Sequence, residues 1–158
     1  MATDLLVWGG SGHAKMLRPI FEGDRRQVVA VVDRDKAISP PFPGAVRLHD
    51  EDEVRRWVER RGGTALEFVV AIGGHKGPDR LRLAAFLASL GARPFTAIHP
   101  AAYVATTAEI GPGSHVLPMA AVCEEVVLGS QTIVNTKDRK STRLNSSHVS
   151  ESRMPSSA

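Results

Sequence analysis

Residues 98–137 read IHPAAYVATTAEIGPGSHVLPMAAVCEEVVLGSQTIVNTK, and one spacing runs through them. An aliphatic residue stands at every sixth position: Ile98, Val104, Ile110, Val116, Val122, Leu128 and Val134. Four residues after each of the first six comes a small or β-branched one, namely Ala102, Ala108, Ser114, Ala120, Val126 and Thr132. A period of six matches neither the 3.6 of a helix nor the two of a flat strand. A parallel β-helix meets it, each hexad laying down one short strand and one corner of a triangular prism. The aliphatics are expected to point inward and stack in a column, each burial contributing about 1.5–3 kcal/mol. Gly111 and Gly129 directly follow two of them, where a cramped corner favours a residue without a side chain. Three hexads make a coil, so the segment holds little more than two coils and reads as an array cut short, since such arrays need further layers and a cap.

Upstream the pattern alternates strand and helix. Asp4-Leu5-Leu6-Val7-Trp8 is an apolar strand running into a glycine turn, Gly9-Gly10-Ser11-Gly12. Residues 13–22 place Ala14, Leu17, Ile20 and Phe21 at near-helical spacing, with Pro19 expected to kink or shorten the helix. Val28-Val29-Ala30-Val31-Val32 is a nearly continuous β-branched strand ending at Asp33, as befits a strand covered on both faces. The proline-rich residues 39–44 form a loop, after which Asp50 caps a helix reaching about Arg61, closed by Gly62-Gly63. Phe68-Val69-Val70-Ala71-Ile72 is a third strand, closed by Gly73-Gly74, and a helix follows over residues 78–90. Phe95-Thr96-Ala97-Ile98 completes the series. This order implies a Rossmann-like open parallel sheet with right-handed crossovers, an α/β unit over residues 1–97 followed by the β-helix over 98–137.

From Asp138 the rhythm stops, and residues 138–158 form a Ser/Arg-rich run expected to be disordered. Residues 138–148, DRKSTRLNSSH, resemble the translation of a common short-read sequencing adapter, and residues 152–158, SRMPSSA, resemble its continuation beyond a short index. The tail is therefore read as non-native and excluded from fold reasoning. It also carries much of the charge excess. Of 20 basic and 17 acidic residues, giving a net +3, the tail holds four and two. The remainder is nearly balanced and interleaved along helix faces, with no aromatic residues set into a basic stripe, so nucleic acid is not an expected partner. Hydrophobic residues at 42% and charged residues at 23% are those of a soluble globular chain. No run approaches membrane-spanning length, and no leader pattern opens the chain. The single cysteine, Cys123, rules out an internal disulfide framework, and the expected setting is the cytoplasm.

Taken in order, the motifs Gly9-Gly10-Ser11-Gly12-His13, Val32-Asp33, Val70-Ala71-Ile72-Gly73, Ile98-His99-Pro100, the hexads and Val134-Asn135-Thr136 resemble one group. The chain is similar over residues 4–137 to the hexapeptide-repeat sugar acyltransferases of the PglD/NeuD type, which acetylate sialic acid or UDP-linked amino sugars. The resemblance implies a left-handed β-helix, a nucleotide-sugar site on the N-terminal unit, acetyl-CoA along the β-helix and a homotrimeric assembly. It implies a role for Asn135 at the acetyl-transfer site. It also calls for a histidine soon after that asparagine, as the general base that deprotonates the attacking sugar amine or hydroxyl. No residue here stands in that place in a matching context, His148 lying in the adapter-like run. The expected chain is thus a fragment that keeps the nucleotide-sugar unit and a stump of β-helix, without turnover of its own.

The residue chemistry agrees with the nucleotide-sugar part. The turn at Gly9, Gly10, Ser11 and Gly12 frees backbone N–H groups at a helix N-terminus, where the dipole favours a diphosphate. A tight strand-to-helix turn also wants glycine for packing alone. His13 follows the turn and is expected to face the cleft and bond phosphate or sugar, against the plainer reading of an exposed ring. Asp33 can accept from ribose hydroxyls or a base edge, or simply cap its loop. Relatives often carry a second acid after it, and Arg34 stands here instead. Gly73 and Gly74 end the third strand and face the same crevice, although Gly74-His75-Lys76 departs from the asparagine or aspartate common in relatives. His75 is read as a surface loop residue, and His49, His99 and His115 show no metal-ligand spacing. A non-catalytic nucleotide-sugar-binding module is the second reading. A nicotinamide-dependent oxidoreductase is a third, weakened because the full Gly-x-Gly-x-x-Gly pattern is missing.

Overall fold

A computed structural model describes residues 2–141. The chain begins with β1 (Thr3–Trp8), α1 (Gly12–Gly23), β2 (Arg26–Val32), β3 (Val46–Leu48), α2 (Glu51–Arg60), β4 (Leu66–Val70), α3 (Gly77–Ser89) and β5 (Arg93–Pro94). Its five strands form one sheet in the order β3-β2-β1-β4-β5, every neighbouring pair parallel. Because side chains alternate across a strand, the sheet has two apolar faces. Leu6, Trp8, Val32, Phe68 and Val70 point to one, covered by Val54 and Trp57 of α2 and Leu83 and Leu87 of α3. Leu5, Val7 and Val69 point to the other, covered by Ala14, Leu17, Ile20 and Phe21 of α1.

One helix begins as the sequence dictates and another outruns its expected break. The Asp50 carboxylate accepts the Glu53 N–H at 2.8 Å, capping α2 as expected. Pro19 does not shorten α1, which continues to Gly23. The helix loses one backbone bond there, and its four buried apolar side chains hold it against the sheet regardless. Strand β3 was not expected. Its three residues are too few to show a pattern, and pairing with β2 places them at the sheet edge.

Residues 95–98 do not complete the sheet as one strand. Phe95 N still donates to Phe68 O at 2.9 Å, but Ala97 N donates to Ser114 O, so the chain has already left β4 for the next layer. There follow eight two-residue strands: β6 (Ala97–Ile98), β7 (Tyr103–Val104), β8 (Glu109–Ile110), β9 (His115–Val116), β10 (Ala121–Val122), β11 (Val127–Leu128), β12 (Ile133–Val134) and β13 (Arg139–Lys140). They stack parallel in three sheets, β6-β9-β12, β7-β10-β13 and β8-β11, each strand pairing with one eighteen residues away. Three faces and an eighteen-residue coil make the parallel β-helix that the hexads require.

Val116, Val122, Leu128 and Val134 are buried in its core, with Ala120 and Val126 from the small-residue register and Val104 and Ile110 packed against them. Ile98 breaks the expectation and is 39% exposed, because the first strand lies at the open end of the prism, where no earlier coil covers it. Gly111 behaves as expected: a Cβ there would lie 2.4 Å from the Gly129 carbonyl carbon one coil on. Left-handed backbone recurs at Gly113, Met119, Glu125, Gln131 and Lys137, a six-residue corner register that the sequence reading did not pick out. The coil also runs past the expected break at Asp138. Ala121 N donates to Asp138 O at 2.8 Å and Cys123 N to Lys140 O at 3.0 Å, so Arg139–Lys140 pairs with β10 through main-chain groups that need no particular side chain. The remainder of the adapter-like tail, residues 142–158, lies outside the described residues.

One face of the β-helix leans on the α/β unit. Residues 97, 115 and 133 occupy the outward position of its three stacked strands. Ala97 and Leu117 are buried in the α1-side core, and Ile133 packs against it.

Candidate functional site

The carboxyl ends of β1, β2 and β4 open into a cleft of about 560 Å³, lined by Trp8, Gly9, Ser11, Gly12, His13, Asp33, Arg34, Gly73, Lys76 and Arg82 among others. This edge of a parallel sheet is where connecting turns diverge and leave a crevice. Of the residues expected at the site, Gly9, Ser11, Gly12, His13, Asp33 and Gly73 line this cleft, and Gly10 and Gly74 do not.

The turn after β1 is held closely on two sides. Gly9 has φ +105°, and a Cβ there would sit 2.5 Å from the Ala71 carbonyl oxygen, so only glycine fits. Gly10 N donates to Asp33 Oδ2 at 2.8 Å. The other oxygen of Asp33 accepts from Asp35 N at 3.0 Å. Asp33 therefore ties the glycine turn to the end of β2, and only its remaining lone pairs are left for a ligand. The turn delivers the chain into α1, whose N-cap Ser11 makes no side-chain capping bond. The first turn of α1 lines the cleft through Ser11, Gly12 and His13 with no side chain capping its N–H groups, and it is the positive end of the helix dipole. Arg34, Lys76 and Arg82 add positive charge around the rim against Asp33 and Asp79, with Arg82 Nη1 donating to Glu51 at 2.7 Å.

Gly74 does not line the cleft. Its carbonyl, with that of Ile72, accepts from Arg80 Nη1, each at 3.2 Å. Arg80 is only 3% exposed, and its Nε donates to Gln131 O in a β-helix corner. One buried guanidinium thus joins the Gly73-Gly74 loop to the coil. Asn135 is exposed, after β12 and away from this cleft. His75 is exposed, and His49 Nδ1 lies 2.9 Å from the Asp33 carbonyl oxygen. Among the described residues no group of three or more His, Cys, Asp or Glu is placed to hold a metal ion, and no helix is long and apolar enough to cross a membrane.

Sequence reasoning missed His115. It is 1% exposed, and its Nδ1 lies 2.9 Å from His13 Nε2, a hydrogen bond across 102 residues. The rings sit 5.1 Å apart, tilted by 31°. Burial, then the Arg80 charge, lowers the His13 pKa from 6.5 to about 4. Burial, His13 and Arg80 lower that of His115 too. Both rings are neutral at pH 7. The signal was present in the eighteen-residue period, which sets His115 between apolar Ala97 and Ile133 on a single face.

No family model and no curated protein matches the chain. Solved structures do. A perosamine N-acetyltransferase from Caulobacter crescentus, in complex with CoA and GDP-perosamine, matches at 26% identity and a TM-score of 0.72, over 86% of this chain and 61% of that one. The acetyltransferase domain of PglB from Neisseria gonorrhoeae, in complex with acetyl coenzyme A, matches at 25% identity and a TM-score of 0.72, over 89% of this chain and 65% of that one. The resemblance to sugar acetyltransferases read from the motifs is therefore present in three dimensions. The chain spans about three fifths of the length of these neighbours.

Proposed function

We propose that this chain is the nucleotide-sugar-binding part of an acetyl-CoA-dependent sugar acetyltransferase, a Rossmann-like unit (residues 1–97) set on the first coils of a left-handed β-helix (residues 98–137). The observation that carries the reading is the cleft itself. An uncapped helix N-terminus follows a glycine turn, with Arg34 and Lys76 beside it, on a fold shared with enzymes solved with CoA and GDP-perosamine. A diphosphate is the ligand group such a site suits, because oriented N–H groups and nearby cations act on the same oxygens. Asp33 sits where ribose hydroxyls would reach its free lone pairs. The base is settled by comparing UDP-linked sugars, which the motifs suggest, with GDP-linked ones, which the solved neighbours suggest.

On the β-helix, exposed Tyr103, Met119 and Val127 offer apolar surface for the pantetheine arm of acetyl-CoA, and Asn135 is the residue we assign to the acetyl site. When bound, the coenzyme supplies an activated acetyl thioester. This chain's residues hold and orient the sugar that accepts it. A homotrimeric assembly and a cytoplasmic setting belong to the same proposal.

Trp8 lines the cleft, so its fluorescence reports binding directly. Titration with UDP-glucose and GDP-mannose is expected to give a saturable change with at least one of them. Lys76→Ala is expected to weaken that binding about 3–10-fold, with a smaller loss at high salt because an exposed cation is screened. Saturable binding of NAD and of neither sugar nucleotide would support the oxidoreductase reading instead.

A further inference from the structure

His13 and His115 come from different layers of the molecule, and the bond between them fixes which atom of His13 meets the cleft. His13 Nε2 is occupied by His115 Nδ1 at 2.9 Å. The other nitrogen, Nδ1, lies beside Gly73, 3.6 Å from where a Cβ on that glycine would be, and both residues line the cleft. His115 in turn has its Nε2 buried without a hydrogen-bond partner. Two tautomeric arrangements satisfy the shared bond. If His13 donated, His115 would carry its proton on Nε2, an orphaned N–H in an apolar wall under the influence of the Arg80 cation. If His115 donates, its Nε2 is a bare nitrogen facing that positive field. The second arrangement costs less, since a buried orphan donor is the rarer and dearer defect and a cation repels an N–H.

We infer that His115 is a positioning residue for the cleft: its Nδ1–H donates to His13 Nε2, so that His13 presents Nδ1–H to an oxygen of the ligand. His13 is then a neutral hydrogen-bond donor and not a base, since the nitrogen it shows to the cleft already carries the proton. The ligand atom is an acceptor oxygen, of a phosphate or of a sugar. The inference deepens the nucleotide-sugar reading and rests on it for the ligand. The tautomer stands on the histidine geometry alone.

The test begins on the full chain, labelled with nitrogen-15 histidine. Long-range proton–nitrogen NMR spectra at pH 7 are expected to show both rings protonated on Nδ1, with a nitrogen–nitrogen coupling across the shared bond. A His115 ring protonated on Nε2, or a His13 ring averaging between tautomers, overturns the assignment. Two variants then read the ligand side. His115→Phe keeps the shape and removes the donor, whereas His115→Asn keeps an N–H near the place of Nδ1. Affinity for the better of UDP-glucose and GDP-mannose is expected to fall about 5–10-fold in His115→Phe and to be largely restored in His115→Asn. Equal binding by His115→Phe and the native chain contradicts the positioning role. Repeating the comparison with UDP and GDP separates the two oxygen sources: the loss persists with the free diphosphate if phosphate is the acceptor and vanishes if the sugar is. Should neither sugar nucleotide bind the native chain, the nucleotide-sugar reading fails, and the NMR tautomer decides on His115.

Discussion

Gly9 and Gly12 stand three residues apart in the same turn, yet they answer to different constraints. A side chain at Gly9 meets a backbone carbonyl and a left-handed φ, whereas nothing lies within 4 Å of the position a Cβ would take at Gly12. Gly9→Ala is expected to destabilise the chain by about 2 kcal/mol or more, and Gly12→Ala by less than about 0.5 kcal/mol, measured by urea unfolding. The histidine pair gives a pH dependence at the same scale. His13 binds fewer protons folded than unfolded between about pH 4 and 6.5, and His115 is displaced in the same direction. Stability therefore rises with pH across that window and levels off above it. The His13 contribution has an upper bound of roughly 3 kcal/mol. Arg80 and the cleft residues Asp33, Arg34, Lys76, Asp79 and Arg82 are the charged groups that share this environment. Melting midpoints should drop from pH 7 to pH 4.5, and less so in a His13→Gln, His115→Asn double variant; an equal drop in both proteins contradicts the assignment. The glycine turn and Asp33 were legible because backbone strain and strand ends leave local marks. The coil period marks the face on which His115 lies, but its bond to His13 left no local mark, because the two residues are 102 apart.

At the scale of elements, the hexads carried nearly all the information needed. A six-residue period has one economical solution, and the aliphatic column from Val116 to Val134 is buried as that solution demands. Val116→Ala is expected to cost about 1–3 kcal/mol, whereas Val127→Ala, on an outward face and 63% exposed, is expected to cost less than about 0.5 kcal/mol. Comparable losses in the two would contradict the inward register. What composition could not show was where the array begins and how far it continues. Ile98 carries the right residue at an uncovered end, and Arg139–Lys140 carries the wrong residues yet pairs with β10, because coil stacking is a backbone property. The three-residue β3 was illegible for a related reason, being fixed by its neighbour and not by its own pattern.

For the whole molecule, the contact between layers matters most. Leu117 joins the apolar core under α1, Ile133 packs on it, and Arg80 bonds both the Gly73-Gly74 loop and the Gln131 corner. The coil therefore forms one wall of the fold that holds His13 in the cleft, so a nucleotide sugar bound there should stabilise both layers together. The direct measurement is the melting midpoint of the chain with and without ligand, since a molecule that binds only the folded state raises it by mass action. A rise with UDP-glucose or GDP-mannose that grows with concentration, absent with NAD and lost in Gly9→Ala at a temperature where that variant is folded, is the predicted result. No rise with either sugar nucleotide at millimolar concentration, or an equal rise with NAD, would contradict it.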